Sequence, residues 1–281
     1  DAVFFDEQSR TLRIHKVPST PSNQKHGVMN AIKEYGCTPA DISLFLHGTT
    51  VATNAVIEKK GARVGLLTTK GFRDVLKIRR TTRGKLYDLQ WDPPQELVER
   101  RFRIEIDERM DAFGKPLKDL NKDEVLQKVA FLIDQGIESI AICFLNAYVN
   151  PDHEMLAKTI IQEEYPDLYI STSSELLREW REFERTSTVS VSAYVGPLLH
   201  KYLSSLTEEM TSKGYERDIL VMLSSGGVAP AFPVTAIAPQ TLLSGPAAAA
   251  IAMKEISQSI GEQSVVSIDI GGTSTDIAIM H

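Results

Sequence analysis

Short β-branched apolar runs alternate with helix-period segments from one end of the chain to the other. That alternation restricts the chain to an α/β fold in which sheet and helices form layers. "DAVFF" and "TLRIHKV" flank "DEQSR" and predict a hairpin, and "HGVMNAIKEYG" predicts a helix closed by glycine. "ISLFL" (42–46) predicts a buried strand leading into "HGTTVATN", followed by a helix through "AVIEKKG" and a strand at "RVGLLTT". Residues 79–94 hold Gly84, two prolines and no clean period, which predicts a loop. "RFRIEI" places Phe102, Ile104 and Ile106 on one strand face. Asn121 with Glu124 marks a capped helix start, "SIAICFL" a buried strand, and Asn150 with Pro151 the start of the next helix. After the strand "LYISTSS", Thr172 and Glu175 form a capping-box pattern before a long helical segment. Gly196-Pro197 is expected to break that segment and start a new helix running to about Lys213. "DILVMLSSGG", "LLSGPAAAAIAMKEI" and "SVVSIDIGG" then predict a strand with a glycine turn, a helix and a last strand.

At 281 residues the length favours two domains. Apolar content of 42% and charged content of 24% are those of ordinary folded domains. No apolar stretch approaches the roughly 18 residues that suggest a membrane span. The 37 acidic and 31 basic residues are spread along the chain, leaving a net charge of −6, so a nucleic acid is not an expected partner. The one basic cluster, "KIRRTTRGK" (Lys77 to Lys85), reads as a solvated loop. Two cysteines are too few for a disulfide framework, and a cytoplasmic location is expected. His15, His26, His153 and His200 have no metal-ligand spacing.

The chemistry concentrates in "IDIGGTSTDIAI" (268–279). Gly271 and Gly272 allow a sharp turn and a close approach of backbone amides to an anion. Thr273, Ser274 and Thr275 add hydroxyl donors, and Asp269 and Asp276 supply the hard oxygens that Mg²⁺ prefers, Asp269 being the expected metal ligand. No lysine follows the glycines, so this is not a P-loop. A strand follows them instead of a helix, so it is not a dinucleotide fingerprint either. The expectation is a strand-turn-strand phosphate site. His47 follows "ISLFL" at the strand end where α/β folds place ligands. Thr49, Thr50 and Asn54 add polar groups around the start of the next helix, a natural anion site, and are expected to take part in cofactor binding. Glu182, Glu184 and Arg185 read as solvated neighbours on a helix.

"DIGGTSTD" between two strands resembles the phosphate loops of the actin, sugar kinase and heat-shock chaperone ATPase superfamily. That resemblance implies a two-lobed actin-like (ribonuclease H-like) architecture with one such loop opening each lobe, Asp1 resembling the last residue of the first. His47 to Arg80, Leu86 to Pro94, Glu182 to Pro197, Leu242 to Ala249 and the terminal loop together resemble the hydantoinase A/oxoprolinase family, in family order. Family chains are much longer, so a partial chain is expected, with an N-terminal lobe at 1–174 and linking helices plus the start of a second lobe at 175–281. The resemblance implies ATP and Mg²⁺ as cofactors and ring opening of a cyclic amide, hydantoin or 5-oxoproline, by phosphorylation of its carbonyl. It also implies a hydantoinase B-like partner subunit or domain. In that frame His47, Asp269 and Asp276 are expected to be catalytic. The alternatives are a ketone carboxylase subunit of the acetone or acetophenone type and a non-enzymatic actin-like nucleotide switch.

Overall fold

The structure is a computed structural model that describes residues 1–18, 20, 23–270 and 275–280. In chain order its elements begin with β1 (Ala2–Asp6), β2 (Thr11–His15), α1 (Gln24–Tyr35), β3 (Leu46–His47), α2 (Val51–Ile57), β4 (Val64–Thr69), α3 (Val75–Ile78), β5 (Arg103–Ile106), β6 (Arg109–Met110) and β7 (Pro116–Lys118). They continue with α4 (Lys122–Asp134), β8 (Ser139–Cys143), α5 (Asp152–Glu164), β9 (Tyr169–Thr172), α6 (Ser173–Leu176), α7 (Glu182–Ser212), β10 (Leu220–Met222), β11 (Val228–Pro230), α8 (Ala231–Ala236), α9 (Ser244–Ile260), β12 (Val265–Ile270) and β13 (Thr275–Met280). The chain is thus mixed α/β, as its patterning requires. Contacts divide it into two units, one of residues 1–50, 199–235 and 240–281, the other of 51–198 and 236–239.

The second unit is built on the four-stranded sheet β5-β4-β8-β9, in which every pairing is parallel. Every residue of β4 and β8 is buried, the signature of strands covered on both faces. α4 and α5 pack on this sheet, α4 through Val125, Val129 and Leu132 at helical spacing. Its start is the predicted one, with Asn121 Oδ1 accepting from the Glu124 amide at 3.0 Å. Ile106 of β5 and Phe102 just before the strand are buried, Ile104 is half-buried, and Arg103 is also only 2% exposed. Its Nε and Nη2 donate to the Val98 carbonyl at 2.9 and 2.8 Å, and Nη2 lies 3.6 Å from Glu96 Oε2, so the buried guanidinium has both a backbone and a carboxylate partner.

The expected break at Gly196-Pro197 does not occur; α7 runs through it for 31 residues. Pro197 has no amide proton to give the Ala193 carbonyl four residues back, and Ser139 Oγ on β8 donates to that carbonyl instead at 2.7 Å. The next carbonyl, of Tyr194, accepts from the Ala62 amide at 2.9 Å. Gly196 is needed for a different reason, since a Cβ there would lie 2.2 Å from the Tyr169 ring. The long segment expected after Thr172 and Glu175 is itself shorter than predicted. α6 ends at Leu176, and α7 starts only after Arg181, whose φ of +90° reverses the chain.

In the first unit, β1 and β2 form the predicted hairpin, with Val3 opposite Ile14 and Phe5 opposite Leu12, and Phe4 stacks on Tyr35 of α1 at 3.8 Å. A three-stranded sheet runs β11-β10-β3, with β10 antiparallel to β11 and parallel to β3. The expected buried strand at 42–46 is reduced to β3, and Leu44 and Leu46 are 60% and 52% exposed. The reason lies in its backbone partners. The Phe45 amide donates to the Tyr215 hydroxyl and Arg217 Nη1 to the Ser43 carbonyl, so side chains take the places of a strand ladder. β12 and β13 pair as the predicted antiparallel hairpin, on which α9 packs.

Candidate functional site

His47, Thr49, Thr50, Asp269, Thr275 and Asp276 all belong to the first unit. The β12–β13 register sets Asp269 directly opposite Asp276 and Ile270 opposite Thr275. Both carboxylates therefore lie one register step from the paired strand ends at Ile270 and Thr275. Asp269 is exposed and Asp276 half-buried. Among the described residues Asp269 makes no ion pair with a protein cation, and a carboxylate is a ligand type that Mg²⁺ accepts. Gly271, Gly272, Thr273 and Ser274, the predicted phosphate donors, lie outside the described residues.

His47 closes β3 beside Val221 of β10. Its Nε2 is 2.8 Å from the Tyr202 hydroxyl of α7, and its ring stacks on Phe45 at 6.1 Å. The phenol can donate to an unprotonated Nε2 or accept from a protonated one, so the contact couples the Tyr202 hydroxyl to the tautomer of the ring. Burial disfavours the imidazolium and pushes the His47 pKa down to about 4. Burial likewise pushes the Tyr202 phenol above its ordinary value. His47 is thus a neutral imidazole at physiological pH, able to orient or accept a proton but not to supply a fixed positive charge.

Thr49 is buried just beyond His47, and its carbonyl accepts from Ser244 Oγ at 3.3 Å. Ser244 is the first residue of α9, so the start of that helix is tied to the "HGTT" turn while the helix body packs on β12 and β13. α9 also meets β10, where a Cβ on Gly226, at φ +86°, would lie 2.7 Å from Ile251. Thr50 is exposed next to Thr49. Asn54 sits half-buried on α2 and belongs to the second unit. Tyr202 and Ser244 were not foreseen, because a tyrosine inside a helix and a serine before a glycine carry no signal of their own.

Arg185 is the clearest correction. It does not pair with its neighbours in solvent: it is fully buried and donates through Nη2 to the Phe144 carbonyl (2.8 Å) and Ser173 Oγ (2.6 Å), with Glu154 Oε1 at 3.4 Å. Glu184 instead accepts from Arg80. Among the described residues no group of three or more His, Cys, Asp or Glu is placed to hold a metal. No helix among them is long and apolar enough to cross a membrane.

Two family models match in succession, "hydantoinase/oxoprolinase N-terminal region" over residues 1–165 and "hydantoinase/oxoprolinase" over 185–281. The chain belongs to the hydantoinase/oxoprolinase family. An uncharacterized protein of Methanocaldococcus jannaschii is 38% identical across 98% of this chain and 41% of its own length. The caprolactamase subunit alpha of Pseudomonas jessenii is 32% identical across 99% of this chain and 41% of its own length. The crystal structure of that ATP-dependent caprolactamase superposes with a TM-score of 0.81, covering 99% of this chain and 41% of that one. A nucleotide-free acetone carboxylase superposes with a TM-score of 0.86 at 26% identity, over 99% of this chain and 42% of that one. The chain therefore spans about two-fifths of the length of these relatives. Relatives in this family include the ATP-dependent caprolactamase and subunits of acetone and acetophenone carboxylases.

Proposed function

We propose that this hydantoinase/oxoprolinase chain contributes the nucleotide-handling part of an ATP-dependent cyclic amide hydrolase. The observation that carries the reading is the Asp269–Asp276 register pair on the strands that flank the Gly-Gly-Thr-Ser segment. Exposed carboxylate oxygens beside a glycine turn with hydroxyls suit Mg²⁺, which takes one or two protein carboxylates and completes its shell with waters and phosphate oxygens. Asp269 would hold the ion, with Asp276 supporting it, and the ion would neutralise charge on the phosphates. Gly271 and Gly272 would offer backbone amides to the phosphate oxygens, and Thr273, Ser274 and Thr275 their hydroxyls.

An amide oxygen is a poor leaving group. Transfer of the γ-phosphoryl group to the carbonyl oxygen of the ring would release ADP and leave a carbon that water can attack. Loss of phosphate and cleavage of the C–N bond would then give the ring-opened product. The chain's share is positioning and charge neutralisation, which is most of what phosphoryl transfer demands. Thr49, Thr50 and Asn54 would each contribute polar groups to nucleotide binding, and neutral His47 would orient or accept a proton. Partition into an N-terminal lobe at 1–174 and a second lobe from 175 belongs to this proposal, as does a hydantoinase B-like partner that completes the ring-opening site.

A ketone carboxylase is the second reading, favoured by the closer superposition on acetone carboxylase. ATP turnover by the full-length protein with its partner would be measured across hydantoin, 5-oxoproline, caprolactam, acetone and acetophenone, with and without bicarbonate. Stimulation by a cyclic amide without bicarbonate is the expected result. Stimulation by a ketone would transfer the assignment to the carboxylases, and no stimulation by any of them would reject both.

A further inference from the structure

The basic cluster at 77–85 is exposed, as a solvated loop requires, except for half-buried Arg79. Two neighbouring cavities, of about 540 and 380 Å³, open on either side of Arg79, which lines both. The larger is lined also by Arg83, Gly84, Trp91 and Asp92, the smaller by Arg80, Trp180, Arg181, Phe183 and Glu184. The chain has two tryptophans, and each cavity takes one of them.

Three details distinguish this place from ordinary surface. First, Arg79, Thr81 and Arg181 all have left-handed backbones, with φ of +58°, +57° and +90°. Non-glycine residues persist in that region only where surrounding structure fixes them, and such positions gather at ligand sites. Second, guanidinium groups lie on aromatic faces: Arg181 Cζ is 4.5 Å from the Trp180 ring centroid and Arg79 Cζ 5.8 Å from that of Phe183. Stacking fixes the plane of a guanidinium while leaving its N–H edge for an oxyanion. Third, Arg80 is taken by Glu184, whereas Arg79 and Arg83 make no side-chain hydrogen bond or ion pair among the described residues.

We infer that the Arg79 cavities bind a small organic monocarboxylate with a flat apolar body. Four arginines face the acids Asp92, Glu182 and Glu184 across the two cavities, leaving one excess positive charge, which suits a monoanion better than a phosphate dianion. The uncommitted Arg79 and Arg83 forks match the two oxygens of a carboxylate. Trp91, whose indole packs beside Gly84 so closely that a Cβ there would sit 3.3 Å from its Nε1, offers the flat surface for the body of the ligand. This site lies wholly in the second unit and does not depend on the nucleotide reading.

The test is calorimetric binding of benzoate, with benzamide as its uncharged counterpart, to the full-length protein and to its R83A, R79A and W91F variants. Arg83 is exposed and unbonded, so R83A leaves the fold intact, which an unchanged melting temperature would verify. Saturable benzoate binding that weakens roughly tenfold or more in R83A and R79A, and also weakens in W91F, is expected, with benzamide binding far less. Benzoate binding equally well to wild type and R83A, benzamide binding as tightly as benzoate, or no saturable benzoate binding would each overturn the inference.

Discussion

The Tyr202 hydroxyl and His47 Nε2 are hydrogen-bonded at 2.8 Å, joining α7 to the end of β3. The imidazole is held neutral, with its pKa lowered to about 4 by burial. In the unfolded chain a histidine binds its proton near pH 6.5, so between 6.5 and 4 the unfolded state binds more protons than the folded one. Stability from this residue is therefore complete above about 6.5 and lost as pH falls toward 4. Denaturant unfolding should show a loss on the order of 1–2 kcal/mol from this group between pH 7 and pH 5. His47→Gln should flatten that part of the pH dependence, and an unchanged slope in the variant would show that His47 does not carry it. Tyr202→Phe should cost about 1 kcal/mol at pH 7.

Asp269 and Asp276 face each other across the strand pair, and Asp269 is exposed. Asp269→Asn removes one negative charge without disturbing the hairpin register. ATP turnover by the full-length protein should fall on the order of 100-fold, the scale seen when one group aimed at developing charge is removed. The Mg²⁺ concentration giving half-maximal turnover should rise as well. Retention of normal turnover and of the ordinary Mg²⁺ requirement would remove Asp269 from the site.

The sheet of the second unit was readable because β4 and β8 are continuous apolar runs, a pattern that only strands covered on both faces need. The β12–β13 hairpin was readable because acids and hydroxyls interrupt two apolar runs at a glycine pair. What failed were features decided by distant partners. "ISLFL" is apolar enough for a buried strand, yet Tyr215 and Arg217 take its backbone groups. Pro197 should end a helix, but Ser139, 58 positions earlier, supplies the bond that proline cannot. Arg185 looks like a surface residue until Glu154 and Ser173 are folded against it. Local pattern carries no information about such partners, and the Tyr202 contact with His47 escaped notice for the same reason.

Glu154 and Arg185 are both fully buried. Burial raises the Glu154 pKa, while hydrogen bonds from Ser173 and the charge of Arg185 act against it. Truncating one partner strands the other charge. Arg185→Met should therefore destabilise the protein by about 3–5 kcal/mol. Adding Glu154→Gln should recover part of that loss, because the remaining groups are then uncharged. Equal and additive losses in the two single variants and the double variant would show that the pair is not energetically coupled.

Ser139 and Pro197 should also be coupled, through the Ala193 carbonyl. In the wild-type protein Ser139→Ala leaves that buried carbonyl without a donor and should cost about 1–3 kcal/mol in denaturant unfolding. Pro197→Ala restores an amide proton at the position from which a helix normally supplies this bond. In that background the carbonyl has a second donor, and Ser139→Ala should cost about 1 kcal/mol less. The cycle isolates the shared acceptor, because neither substitution alone removes more than one of its two possible donors. If Ser139→Ala costs the same in both backgrounds, the continuity of α7 through Pro197 has some other source, and the close packing of Gly196 on Tyr169 would be the next feature to vary.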